Sequence, residues 1–528
     1  MGWRQALSYH GGTELDFTFD FISVVMLASL AMMVWACIEV GSNDATNLVN
    51  AVFGARVLKR KTAVLIAGVF VVLGATFASP VMDTVRKGIF NASMFDAAGV
   101  ASVFITSYLV NTVLLYAYSA YGLPISTTAT LVFSLAGGAI GVSGNPAVVA
   151  WPMMGRVVSA IFVSIFLSGM SAFLVQRMFR GAIRKDAQNH ELVLLHGPWM
   201  TGMILASLGW FMIVKGMSGF PMIQELGLER MGELGAGGLL LSLWGFFTLL
   251  THLFLVLAGR RGTLYLFHGT SVLGMICMAV AFGQNDLANC ASPGLAVWLI
   301  WREGVGDAGR ISIPLWTLFG CGFLMFLGMR TQRAQRVTRA EINTASQQSK
   351  VRLYAPVWCV RLAGLLLRAQ HPAVSGAPRS TSEVSDVAPE PTRNEEGKKF
   401  HYDPLRASVI LAVSACVIAF ASGLGLPVST TYVSFAAVIA TGWGDRIFSR
   451  GRSDLKLGRA LWVVVSWLMG AVLSALASFL LAFMISRLTW IGLALAFILN
   501  FTLRYFFRKR ADRHEITHHL MRANKKNV

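Results

Sequence analysis

The feature that most constrains this chain is the recurrence of apolar stretches, each on the order of 20 residues, along nearly its whole length. A segment of that length in hydrocarbon has no water to satisfy its peptide groups. It must close its hydrogen bonds within itself, as a helix. Only 13% of the residues are charged and the mean hydropathy is +0.60, whereas a soluble domain carries roughly 25% charge. Transmembrane barrel strands would be shorter and would alternate apolar with polar residues, and no such pattern is present. The expected fold is therefore an all-α polytopic membrane protein.

The expected spans are 17–40, 62–80, 97–119, 124–143, 152–176, 198–217, 237–258, 264–282, 311–330, 406–424, 427–444, 460–485 and 488–508. The net charge is +19, but it is not the charge of a nucleic-acid-binding face. The Lys and Arg residues sit in short loops, as the positive-inside bias requires. Clusters at Arg56–Lys61, Arg177–Lys185, Arg260–Arg261, Arg330 onward, Arg446–Arg459 and Arg504–Lys526 each follow an odd-numbered span. One orientation puts all of them in the cytoplasm, with the N-terminus outside and the C-terminus inside. Glu14, Asp16 and Asp20 face a single Arg4 ahead of the first apolar stretch. A basic leader region is missing, so this stretch is expected to stay as a span. The cysteines Cys37, Cys277, Cys290, Cys321, Cys359 and Cys416 have no metal-type or redox spacing and read as free buried thiols.

Two polar strings occur twice. Gly41-Ser42-Asn43-Asp44-Ala45-Thr46-Asn47 recurs as Gly283-Gln284-Asn285-Asp286-Leu287-Ala288-Asn289. On a helix, Asp44 and Asn47 share a face, as do Asp286 and Asn289. Carboxylate and amide oxygens together suit a hard cation such as Na⁺, and a carboxylate can also carry a proton. Gly122-Leu123-Pro124-Ile125-Ser126-Thr127-Thr128 is echoed by Gly425-Leu426-Pro427-Val428-Ser429-Thr430-Thr431. Gly ends one helix, Pro suits the first turn of the next, and hydroxyls fill that turn. Free N–H groups, the helix dipole and the hydroxyls together make an anion site without a full positive charge. Simple capping of two helices is the structural alternative. No Lys or Arg lies within any of the four strings. An anion bound beside two aspartates would be repelled unless cations entered with it, and symport removes that conflict.

The first Asn-Asp string ends a span running inward and the second ends a span running outward, so the halves are expected to be inverted repeats. The Pro-led segments 124–143 and 427–444 either cross or re-enter, giving about 11–13 membrane segments. The expected organisation is an extracytoplasmic N-terminus 1–20, a first repeat 21–185, connecting spans 186–263, a second repeat 264–485 interrupted by a cytoplasmic loop 331–405, and a last span with basic tail 486–528. Within the loop, 372–399 has the composition of a disordered segment. Val351–Arg368 mixes Trp358 and leucines with arginines and is expected to lie as a helix on the cytoplasmic leaflet.

At its four strings the chain resembles the inorganic phosphate transporter (PiT) family, over most of 20–330 and 400–485. That resemblance implies a cation-coupled phosphate symporter of inverted-repeat architecture with broken or re-entrant helices. It implies Asp44, Asn47, Asp286 and Asn289 as the Na⁺ or proton site. It implies Asn43, Ser126, Thr127, Thr128, Asn285, Ser429, Thr430 and Thr431 as phosphate ligands. The family includes proton-coupled sulfate permeases, so sulfate is the alternative substrate. No cofactor is expected beyond the coupling ion. The expected setting is the cell membrane, with a homodimer as a candidate assembly. Ser42 and Gln284 replace a small Ala of the family pattern, and Ala129 and Tyr432 stand where it usually has His. Gly442-Trp443-Gly444-Asp445 matches an intramembrane aspartyl protease string, an alternative from another class, but Asp445 opens a basic loop. His268 lies inside a span and is expected to bond a neighbouring helix.

Overall fold

The computed structural model describes residues 20–183, 189–216, 235–304, 313–331, 353–370, 400–449 and 453–524, together with 334, 338, 342–344 and 346. The expected N-terminal segment 1–19 and the loop 372–399 lie outside the described residues. Among the described residues the regular elements are helical, and the one extended pairing is an isolated bridge between Phe90 and Val149. Seven helices are long and apolar enough to cross a membrane, or eight if one bent pair counts as a span. The protein is an integral membrane protein. Large apolar side chains such as Phe166, Leu249, Leu257 and Leu480 stand exposed along its outer helices, where lipid rather than water is their solvent.

Two helices run on through the Asn-Asp strings, where the sequence suggests that they end. α1 spans Phe21–Gly54 instead of stopping at residue 40. The eighth expected span, 264–282, is part of a helix covering 260–303. Both Asn-Asp strings therefore lie inside helices rather than at their ends. A stretch of Asn, Asp and Ser ends an isolated apolar run, but here its side chains bond to neighbouring elements, so the backbone ladder continues through it.

The second expected span is bent. α2 (Arg60–Ala75) and α3 (Ser79–Gly88) meet at 69°, with Pro80 in the first turn of α3.

The two Pro-led segments are return arms. α4 (Ala97–Ala120) and α5 (Thr127–Ser143) form a hairpin whose ends meet. Asn91 N donates to Val148 O at 2.9 Å, and Ala150 N donates to Ile89 O at 3.0 Å. At the other end, Gly122 and Pro124–Ser126 form a buried tip. α6 (Trp151–Ile183) follows, then α7 (His190–Gly209), which ends in a wider π turn. α8 (Gly235–Glu303) breaks at Gly259, whose φ of 58° turns the chain at the expected Arg260–Arg261 loop. α9 (Leu315–Met329) and α10 (Val357–Gln370) come next. α11 (Pro404–Gly423) and α12 (Thr430–Gly444) form the second hairpin. α13 (Ser453–Asn524) breaks at Thr489, at φ 46°. A hairpin brings the chain back to the side it left, as two crossings would. The alternation of sides behind the charge argument is unaffected.

The base of the second hairpin is closed by charge. Arg180 of α6 donates to Asp403 at the start of α11 and to Asp445 just past α12. Gln176 adds a bond to Asp445 at 2.7 Å. Arg406 donates to Thr441 Oγ1 at 3.0 Å and Val438 O at 2.7 Å. Asp445 of the protease-like string is thus a structural anion bound to Arg180.

Helices cross closely beside the Asn-Asp strings. A Cβ on Gly41 would sit 2.0 Å from Met325 O in α9, and one on Gly283 would sit 2.2 Å from Val71 O in α2. Only glycine allows these backbone contacts, the usual device of membrane helices that meet closely.

Arg180→Met would leave the buried Asp445 and the half-buried Asp403 without their shared partner. A loss of about 3 kcal/mol is expected, as for breaking a buried ion pair. Unfolding of the purified variant in detergent measures it, and wild-type stability would show that this network does not close the hairpin.

Candidate functional site

The four duplicated strings converge. Each Asn-Asp string holds the hairpin of its own half through its first Asn. Asn43 Nδ2 donates to Ile125 O at 3.1 Å, and Asn43 Oδ1 accepts from Ser119 Oγ at 2.9 Å. Asn285 Nδ2 donates to Val428 O at 2.7 Å, and its Oδ1 accepts from Val428 N at 3.2 Å and Ser422 Oγ at 3.5 Å. These bonds satisfy the bent backbone at each tip, where the proline-containing turn cannot satisfy itself.

The aspartates instead reach across to the opposite hairpin. Thr431 Oγ1 donates to Asp44 Oδ1 at 2.9 Å and accepts from Asn47 Nδ2 at 3.1 Å. Thr127 Oγ1 donates to Asp286 Oδ1 at 3.0 Å and accepts from Asn289 Nδ2 at 3.1 Å. Asn289 Nδ2 also lies 2.9 Å from Thr128 Oγ1 and 2.7 Å from Asp286 Oδ1. Thr128 Oγ1 donates to Val428 O at 2.9 Å, joining the two tips directly. Every residue of these bonds is buried.

The two serines play a narrower part. Ser126 Oγ accepts from Ala129 N at 3.0 Å, and Ser429 Oγ accepts from Tyr432 N at 3.2 Å. Both are N-caps of α5 and α12. The remaining first-turn N–H groups point along the helix axes toward the cluster, so each tip presents a partial positive charge. Three site atoms are buried with no hydrogen-bond partner: Asp44 Oδ2, Asn289 Oδ1 and Thr430 Oγ1. Two are hard oxygens of the kind that bind alkali cations, and the third is a hydroxyl beside Asp286 that can donate to an anion.

Several residues escaped the sequence reading. Ser119 and Ser422 carry the tips, and the signal for them was present: each stands seven residues before the capping serine in the duplicated string. Gly41 and Gly283 matter for helix approach rather than ligand contact. Trp467 of α13 touches both hairpins. Its ring stacks on Tyr432 at 3.9 Å and 23°, and its Nε1 donates to Pro124 O at 3.2 Å. Nothing in the sequence around Trp467 distinguishes it from other span tryptophans.

The departures from the family pattern have local causes. Ser42 Oγ bonds Thr331 Oγ1 at 2.8 Å, and Gln284 Nε2 donates to Gly216 O at 2.7 Å. Tyr432 fills the place of a histidine with an aromatic stack. Among the described residues His268 shows no bond to another helix: its Nδ1 has no hydrogen-bond partner, and the ring edges Tyr265 of its own helix at 5.5 Å.

A model of the phosphate transporter family matches residues 40–340 and 395–478. A putative phosphate permease of Pyrococcus horikoshii is 30% identical over 57% of this chain and 72% of its own length. One of Thermococcus kodakarensis is 26% identical over 87% of this chain and 96% of its own. A solved structure titled the sodium-dependent phosphate transporter has the same fold, with a TM-score of 0.64 at 19% identity. It covers 88% of this chain and 100% of that one.

Trp467→Phe keeps a ring on Tyr432 and loses the bond to Pro124, which is expected to cost about 1 kcal/mol. Trp467→Ala loses both and is expected to cost about 3 kcal/mol or more. Denaturant unfolding in detergent compares them. Equal losses would mean that the bond to Pro124, and not the stack, holds the tips.

Proposed function

This chain belongs to the phosphate transporter family, and we propose that it is a cation-coupled symporter carrying inorganic phosphate through the cell membrane by alternating access. The family is one of transporters, so the protein is not an enzyme and the protease alternative falls away. In this reading Asp44, Asn47, Asp286 and Asn289 take the coupling cation. Asn43, Asn285 and the Ser-Thr-Thr turns hold the anion.

One observation carries the proposal: the crossed bonds from Thr431 to Asp44 and from Thr127 to Asp286. A hydroxyl has one proton to donate. While Thr431 donates to Asp44, it cannot donate to phosphate. A cation on the carboxylate takes over that lone pair and frees the hydroxyl to turn toward the anion. Cation binding thus creates the donors the anion needs, and the same cation cancels the repulsion between anion and aspartate. Each ligand raises the affinity for the other, as linkage demands.

Either Na⁺ or a proton could neutralise the carboxylates. The unpartnered amide oxygen of Asn289 favours Na⁺, because a proton has no use for it. Phosphate is favoured over sulfate for a related reason. Monohydrogen phosphate carries a proton that a carboxylate or amide oxygen can accept, whereas sulfate at neutral pH carries none. The positive-inside bias supports an external N-terminus and a cytoplasmic C-terminus, with the hairpins entering from opposite sides in inverted halves.

Uptake of labelled phosphate and sulfate into proteoliposomes, with and without a Na⁺ or pH gradient, tests the reading. Phosphate uptake that follows the Na⁺ gradient is expected. Gradient-independent flux would make the protein a channel, and preferential sulfate uptake would reassign the substrate. Asp44→Asn and Asp286→Asn are each expected to abolish coupled uptake in protein that still inserts. Wild-type rates in both would remove the cation assignment.

Alanine at Thr127 and Thr430 removes two hydroxyls expected on the anion. At roughly 1.5–3 kcal/mol for each charge-assisted bond, phosphate affinity should fall about a hundredfold or more. Ligand-induced melting shifts measure it. Unchanged affinity with a lower melting point would mean that the hydroxyls hold the folded structure and not the anion.

A further inference from the structure

The family match stops at residue 340 and resumes at 395. The described part of the intervening segment includes α10. This helix has two unlike faces. Cys359 and Ala363 are buried against the start of α13, where a Cβ on Gly458 would lie 2.9 Å from Val360 Cα. The opposite face exposes Val357, Trp358, Leu362, Leu365 and Leu366, with Val357 at 67% and Leu365 at 61%. Those fractions are far too high for leucine and valine held in water by choice.

The place of α10 in the fold says what covers this face. α10 packs on the opening turns of α13, and Trp358 meets Trp462 edge-on at 6.4 Å. From Val464 onward, α13 exposes Leu468, Met469 and Val472, so it is facing lipid within one turn of that contact. α10 therefore lies level with the end of a membrane span. At 14 residues it is too short to cross, since crossing takes about 20. Between residues 342 and 382 the sequence has Lys350, Arg352, Arg361, Arg368 and Arg379 and no Asp or Glu. A basic, apolar-faced helix at that level matches an anionic lipid surface.

The same segment reaches the transport machinery. Arg459 of α13 is buried. Its Nη1 donates to Tyr354 O, just ahead of α10, at 3.2 Å, and its Nη2 donates to Gly122 O at 2.9 Å. Gly122 is the turn residue of the first hairpin tip, at φ 64°. One guanidinium thus ties the surface helix to the tip that carries Ser126-Thr127-Thr128.

We propose that α10 binds the anionic phospholipid leaflet and, through Arg459 as a positioning residue, sets the mobility of the first hairpin tip. The partner is the lipid surface, not a soluble protein or a second copy. Both halves of the test work without any transport activity, so they are separate from the symport reading.

The full-length protein carrying Leu365→Cys is labelled with a nitroxide, and labelled wild type gives the background from native cysteines. Collision with oxygen and with a polar nickel chelate is measured in vesicles of phosphatidylcholine alone and with one quarter phosphatidylglycerol. The label is expected to favour oxygen, more strongly in the anionic vesicles. A label open to the nickel chelate in both compositions would place the face in water. A label shielded from both reagents would mean that protein covers it, and either result overturns the proposal.

Hydrogen exchange of the peptide containing Gly122 reads the relay. It is expected to be several-fold slower in anionic than in neutral vesicles for wild type. The difference should vanish in Arg459→Gln and in a Trp358→Ser, Leu362→Ser, Leu365→Ser triple variant, and return in part in Arg459→Lys. If Arg459→Gln does not fold, the triple variant decides. Exchange that ignores lipid composition in wild type, or that keeps its lipid dependence in a folded variant, would overturn the relay.

Discussion

The structure depends on one exchange: the aspartate of each half is bonded by the hydroxyl of the other half's hairpin. Thr431 holds Asp44 and Thr127 holds Asp286. A carboxylate buried this deeply costs several kcal/mol unless it is solvated by the protein. Each half gives its own aspartate only amide N–H groups that are shared with other partners: Asn43 and Asn47 bond Asp44, and Asn285 and Asn289 bond Asp286. The hydroxyl from the opposite hairpin adds the bond that joins the halves around the site. The assembly explains why α1 and the 260–303 segment of α8 stay helical through strings of polar residues. It also explains why the tips, rich in groups that cannot satisfy themselves, lie at the centre rather than at a surface.

The two hairpins are alike at their tips and unlike at their bases. The first is closed by backbone bonds between 89–91 and 148–150. The second is closed by Arg180, Asp403, Asp445 and Arg406, an ion network anchored in α6. Bonds between charged groups with several shared partners resist separation more than two backbone bonds do. α13 then supplies what both tips lack. Trp467 spans them, Arg459 holds Gly122, and Tyr118 donates to Ser466 O at 2.8 Å. A last contact runs from the other segment of α13, where Arg504 pairs with Glu39 at 3.1 Å and lies 4.6 Å from the Trp35 ring. That pair fixes α1 one turn ahead of Asn43, so much of the site's framework comes from the final helix.

The sequence made the helices, and the residues that converge in the candidate site, legible because lipid and duplication leave strong marks. Long apolar runs can only be helices, and a costly Asp that appears twice calls for an explanation. What stayed hidden was three-dimensional. Spans ended too early at 40 and 282 because hydropathy counts Asn43 and Asp286 as if each faced lipid alone. Whether 124–143 crosses could not be read, since a return arm and a span have the same composition. The distinction lies at the tip, where Gly122 and Pro124–Ser126 are buried and Thr128 bonds the opposite hairpin instead of reaching a surface. Trp467 and Arg180 act through partners hundreds of residues away, and no local pattern marks them. Ser119 and Ser422 were within reach, because the duplicated string extends back to them.

The replacement of a histidine by Tyr432 bears on how the proposed coupling is arranged. A histidine at that place would add a titratable cation next to the anion. This chain puts there a phenol stacked on Trp467, a group with no positive form. No Lys, Arg or His makes any of the described bonds in the central cluster. Arg459 reaches the first tip only at Gly122 O, so the fixed positive charge beside the bonded aspartates is that of two helix N-termini, each equivalent to roughly half an elementary charge. Together they offset about one unit, against two aspartates and a divalent phosphate. In the proposed reading this shortfall of about three charges is met by the coupling cations. The site would then hold its anion weakly until they arrive, a dependence that separates the proposed symport from simple binding.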